Sequence, residues 1–84
     1  MINHDLKIFP DFFNAANSMH KPFEVRRDDR AYSVGDTVVF YEWDGKYYTG
    51  RQTSRRRITY ILRSELFNGV QPGYVVLGLN DEWI

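Results

Sequence analysis

Cysteine is absent from this 84-residue chain, which excludes disulfide staples and thiolate metal sites. Long hydrophobic runs are missing too. No stretch approaches the ~18 apolar residues of a membrane span, and no basic-then-apolar leader opens the chain, so a soluble cytoplasmic protein without a membrane role is expected. Histidine occurs twice, as His4 and His20, in no metal-ligand spacing, and neither a metal site nor a cofactor is expected. Net charge is lacking as well, since eleven Lys and Arg balance eleven Asp and Glu. That balance argues against binding a polyanion by bulk attraction, which depends on neutralising many phosphates.

What remains is rich in aromatics, at 17% of residues. A chain this short buries only about 60–65% of the surface its unfolded form exposes. Large aromatic side chains compensate, and residues 1–84 are expected to form one domain around one small core, with a monomer as the default state. The charges are unevenly placed. Between Lys46 and Arg63 the chain carries Lys46, Arg51, Arg55, Arg56, Arg57 and Arg63 with no acid, so a neutral protein can present a local positive surface.

Hydrophobic periodicity outlines the elements. Leu6 and Ile8 alternate with Asp5 and Lys7 as in a half-buried strand, which Pro10 ends. Pro10 suits a first helical turn; Phe9, Phe12, Phe13 and Ala16 then fall on one helical face, and Asn17-Ser18 is a stop. A second strand runs from about Pro22 to Arg27, with Phe23 and Val25 expected in the core and Glu24 and Arg26 on the other face. A third, from Thr37 to Trp43, is apolar on both faces and reads as central. Asp44-Gly45 is a hairpin signal, although Lys46 to Gly50 equally suits a longer loop. Arg51 to Leu62 reads as one long strand, with Ile58, Tyr60 and Leu62 on one face and Arg55, Arg57 and Thr59 on the other. A last strand, Tyr74 to Leu79, places Val75, Leu77 and Leu79 inward, with Gly78 marking a bulge or a close approach.

Lys21, Glu24 and Arg26 form a Lys-x-x-Glu-x-Arg cluster. In order, the His4–Ile8 strand, the Pro10 helix, this cluster, Tyr32-Ser33-Val34-Gly35-Asp36 leading into Thr37-Val38-Val39-Phe40, and Pro72-Gly73-Tyr74-Val75-Val76-Leu77-Gly78 resemble the ASCH domains of the PUA-like superfamily. More narrowly they resemble a small bacterial and phage family of that clan without an established function. The resemblance runs from His4 to Leu79. It implies an α+β fold, a small PUA-like, ASCH-type mixed β-barrel of five to six strands with one principal N-terminal helix. It also implies that Lys21, Glu24 and Arg26 line a ligand cleft between helix and barrel.

Such a cleft suits RNA or a nucleotide. Lys21 can donate to carbonyl or phosphate oxygen, Glu24 can accept from an exocyclic amine, and Arg26 can orient Glu24 or clamp an anion. His4 and His20 join the expected ligand-binding set, and Arg55, Arg57, Lys46 and Arg51 are the expected holders of RNA backbone, with Trp43, Tyr47 and Tyr48 able to stack bases. The alternative is a small hydrolase of a modified nucleoside or RNA, with Glu24 as base and Lys21 as electrostatic stabiliser. One branch of the superfamily hydrolyses N4-acetylcytidine with a Thr three residues after its Lys. Glu24 stands at that position here, and a carboxylate does not replace a hydroxyl nucleophile in simple acyl transfer. A third reading makes the cluster a structural ion-pair network in a protein-interaction domain.

Overall fold

The computed structural model describes residues 1–18 and 21–81, the side chain of Asp81 excepted. Its elements are β1 (Asn3–Ile8), α1 (Pro10–Asn17), β2 (Phe23–Arg27), β3 (Thr37–Trp43), β4 (Tyr48–Gln52), β5 (Arg56–Arg63) and β6 (Tyr74–Asp81). The six strands form one mixed sheet in the order β1-β3-β5-β6-β2, with β4 added beside β3. Among the described residues, only the β1–β3 pair is parallel. The fold is therefore α+β, a strand-rich sheet with one short helix.

β3 is central, and Thr37 to Phe40 are all buried. β1 pairs along one of its edges, while the other edge is divided, Thr37 and Val38 to β5 and Tyr41 and Trp43 to β4. The division follows from Thr53, which breaks the single Arg51–Leu62 strand that the sequence pattern predicts. Thr53 Oγ1 accepts from the Phe40 amide at 3.1 Å, and the Thr53 amide donates to Phe40 O at 2.9 Å. One threonine thus anchors the corner between β4 and β5. The β3–β4 connection is a tight hairpin: Asp44 Oδ1 accepts from the Lys46 and Tyr47 amides at 2.8 and 2.7 Å, and Gly45 takes φ 104°, a conformation costly for residues with a Cβ.

A bulge in β5 changes the expected facing. Ile58 pairs with Leu79 but Tyr60 pairs with Gly78, leaving Thr59 as the extra residue. Parity reverses across it. Ile58 is buried and Ile61 packs against the core, whereas Tyr60, expected to share the face of Ile58, is exposed. Gly78 lies opposite the bulge, where an added Cβ would stand 3.4 Å from Tyr60 Cβ. Val75, Leu77 and Leu79 face the core with Leu6, Ile8, Phe13, Val38, Phe40 and Ile58.

The expected barrel is not closed. β1 and β2 are the two ends of the strand order and form no ladder, yet they lie close enough for side chains to join them. Arg26 Nη1 donates to Lys7 O at 3.0 Å and Arg30 Nη1 to Asp5 O at 3.3 Å. Carbonyls two residues apart point from the same strand edge. Ile2 O accepts from Thr37 on β3, so the odd-numbered carbonyls of β1 face away from β3. The sheet is therefore rolled, with guanidinium groups bridging a seam too wide for backbone pairing.

Helix α1 sits against this rolled sheet. Pro10 occupies the first helical turn and Ser18 closes the last, its Oγ donating to Asn14 O at 3.0 Å. The spacing places four apolar residues on one face, but only Phe13 and Ala16 are buried. Phe9 precedes the helix in extended conformation, and a helix of eight residues makes barely two turns. Phe9 and Phe12 are 55% and 54% exposed.

Candidate ligand cleft

β2 carries the cluster, with facing opposite to that expected from its hydropathy. Glu24 pairs with Leu77 and Arg26 with Val75, and residues paired across antiparallel strands share a face. Since Leu77 and Val75 are core residues, Glu24 and Arg26 face inward and Phe23 and Val25 face outward. Glu24 is 6% exposed, against 44% for Phe23 and 51% for Val25. The strand fixes facing through its partner; alternation read alone favours the apolar pair. Burial of the Glu24 carboxylate requires compensation, which comes from Lys21 Nζ on Oε1 and Arg26 Nη1 at 3.4 Å from Oε2. The predicted triad is thus brought together.

Glu24 and Arg26 lie in the wall of a cavity of about 410 Å³ between helix and sheet. Lys7, Ile8, Phe9, Phe12, Glu24, Arg26 and Trp43 line it. Lys7 Nζ stands 4.4 Å from the Trp43 ring centroid, and Tyr48 meets the same indole edge-on at 5.0 Å, so Trp43 is held by its neighbours. An adjoining groove of about 350 Å³ is lined by Phe12, Lys21, Phe23, Glu24 and Val25. Phe12 and Glu24 belong to both. The arrangement offers aromatic faces, one buried carboxylate acceptor and cations at the rim. Phe9, Phe12 and Phe23 went unrecognised as site residues because their spacing matches that of core residues; Pro10 at the helix start is the signal that puts Phe9 outside the helix.

His4 is not in this cleft. Its Nε2 lies 2.9 Å from Asp36 Oδ2, and its ring meets Tyr32 at 4.7 Å between centroids. Asp36 also accepts from the Ile2 and Ser33 amides at 3.2 and 3.1 Å. The His4 hydrogen bond, with these amides, holds the Asp36 carboxyl below its ordinary pKa against the effect of burial. Tyr32 connects this cluster to the cleft. Its hydroxyl is buried beside the Arg26 guanidinium without reaching hydrogen-bond geometry, and burial raises the phenol pKa, opposed chiefly by the charge of Arg26. His20 falls outside the described residues.

The basic segment is spread over several environments. Arg51 lies over the Phe13 ring at 4.6 Å, 3.4 Å from Glu42 Oε2 and 3.3 Å from Asn14 Oδ1, tying helix to hairpin. Glu42 is also taken by Thr49 at 2.6 Å. Arg57 donates to Gly35 O at 2.6 Å and Arg56 is buried, while Arg55 and Lys46 are exposed. Among the described residues, no three His, Asp or Glu side chains are grouped to hold a metal ion, and no helix is long and apolar enough to cross a membrane.

Comparison with known proteins agrees with a small family of undefined role. A relative in Escherichia phage P2, described as an uncharacterized 12.9 kDa protein in the GpA 3' region, is 34% identical over 53 residues, covering 63% of this chain and 49% of the relative. The chain thus spans about half the length of that relative. Residues 3–79 match the domain of unknown function DUF3850, a span that includes β1, the helix, the Lys21/Glu24/Arg26 triad and nearly all of β6. The chain belongs to the DUF3850 family.

Proposed function

We propose that this domain binds RNA or a nucleotide in the cleft between α1 and the sheet, and that it is an ASCH-like member of the PUA-like superfamily acting in the cytoplasm. The observation that carries this reading is the 410 Å³ cavity with Phe9, Phe12 and Trp43 around a buried, doubly paired Glu24. Its volume lies within the ~300–1,000 Å³ of small-ligand sites. An unpaired base stacks on such rings with about 1–3 kcal/mol per base, and Glu24 offers an acceptor to an exocyclic amine. Lys7, Lys21 and Arg26 supply positive charge at the rim, and Lys46, Arg51, Arg55 and Arg57, elsewhere on the molecule, add attraction for a phosphate backbone. Each Glu24 carboxylate oxygen faces a cation, Oε1 Lys21 and Oε2 Arg26, which suits a fixed acceptor for recognition.

The test is a titration of labelled structured and single-stranded RNAs and of mononucleotides, at low and near-physiological salt, with wild type beside Lys21→Ala and Phe12→Ala. Saturable binding that survives physiological salt and weakens at least tenfold in both variants supports the cleft. Binding that disappears with salt, or is indifferent to both substitutions, rejects it.

A further inference from the structure

A third pocket, of about 300 Å³, adjoins the cleft and is lined by Val25, Arg26, Arg27, Asp29, Arg30 and Tyr74. It shares Arg26 with the aromatic cavity. Three guanidinium groups face one carboxylate there, so the lining is net positive on a protein whose total charge is zero. Arg26 is already engaged by Glu24 and Lys7 O, and Arg30 is tied by a single nitrogen to Asp5 O. Arg27 lies over the Tyr74 ring at 5.4 Å, which positions a planar fork without occupying its donors.

The backbone of β2 adds to this. Pro22 O accepts from Leu79 N, Asp28 N donates to Gly73 O, and the β2–β6 register is continuous between them. Backbone groups alternate sides along a strand. Those of Glu24 and Arg26 therefore face β6, and the amides of Val25 and Arg27 point to the open seam, which Arg26 and Arg30 of the pocket lining bridge. Guanidinium forks combined with outward amides suit a tetrahedral oxyanion.

We propose that this pocket is a phosphate subsite, holding a backbone phosphate next to the base that occupies the aromatic cavity; the inference rests on the nucleotide reading above. A carboxylate would satisfy the arginines equally in charge, but the neighbouring aromatic cavity one side chain away selects a ligand that joins a flat ring to a phosphate. The seam then sets the course of the strand, base against Phe12 and Trp43, phosphate at Arg27 and Arg30.

The experiment uses a single-stranded RNA hexamer of mixed sequence and copies in which one linkage at a time is a neutral methylphosphonate. Each is titrated against wild type, Arg27→Gln and Phe12→Ala. Arg27→Gln is chosen because its side chain rests on the Tyr74 ring of a strand already paired with β2 through the backbone, and a melting curve checks the fold. One linkage is expected to lose about tenfold in affinity when neutralised in the wild type and to lose almost nothing in Arg27→Gln. If every linkage weakens Arg27→Gln by the same factor as the wild type, the subsite is overturned, while a loss in Phe12→Ala leaves the cleft standing. If the hexamer does not bind the wild type saturably, the subsite is overturned, and the mononucleotide titration decides the cleft separately.

Discussion

Arg26 reaches across the open side of the rolled sheet and donates from Nη1 to the carbonyl oxygen of Lys7 at 3.0 Å. The same nitrogen lies 3.4 Å from Glu24 Oε2, so one side chain both bridges the seam and neutralises the buried carboxylate. Arg26→Ala removes both functions. It is expected to lower the unfolding free energy by about 1–3 kcal/mol, as for charge-assisted hydrogen bonds, measured by urea denaturation. Arg26→Lys keeps the charge but lacks the fork, and it should recover only part of the loss; full recovery would mean that charge alone closes the seam.

Lys21 offers a contrasting case on the same carboxylate. Its ammonium pairs with Glu24 and stands 5.2 Å from the Phe12 ring and 5.6 Å from Phe23. Arg26 still neutralises Glu24 when Lys21 is removed. Lys21→Met, which keeps most of the apolar stem, should therefore change stability by less than about 1 kcal/mol while weakening RNA binding at least tenfold. Large destabilisation with unchanged binding would return the cluster to a structural role.

Adjacent phenylalanines separate core from cleft. Phe13 is 1% exposed and Phe12 54%. Phe13→Ala is expected to cost about 3–5 kcal/mol, the range for buried aromatics, and Phe12→Ala under about 1 kcal/mol. Urea midpoints at constant slope measure both. Similar costs for the two would mean that Phe12 is packed in solution and unavailable to a ligand.

These contrasts show what the sequence carried and what it did not. The order of the elements, the central β3, the inward set Val75, Leu77 and Leu79, and the gathering of Lys21, Glu24 and Arg26 were legible, because periodicity and charge spacing are local. The facing of β2 was not. Phe23 and Val25 alternate as core residues do, and only pairing with β6 turns Glu24 inward. The bulge at Thr59 and the corner at Thr53 likewise depend on residues distant in sequence, Gly78 and Phe40. Closure failed for a similar reason: whether β1 meets β2 is decided by the seam, where Arg26 and Arg30 occupy the space between the strands. His4 enters the expected ligand set through the family resemblance on the first strand, but its ring turns to Asp36, which the sequence places 32 residues away.

Asp36 yields a pH dependence of defined sign. Its pKa in the folded protein is lowered from 3.8, first by the hydrogen bond with His4 and then by the Ile2 and Ser33 amides. In the unfolded chain the carboxyl returns to about 3.9. The lowered group contributes stability that is fully present above the unfolded pKa and is lost as pH falls through the folded pKa. Asp36→Asn removes that contribution. The difference in unfolding free energy between wild type and Asp36→Asn should therefore be constant near neutral pH with respect to this carboxyl and shrink below about pH 4. Urea melts at pH 7, 5, 4 and 3 test it. A difference that persists undiminished at pH 3 would mean that Asp36 holds the Ser33 turn by shape and neutral hydrogen bonding, without a contribution from its charge.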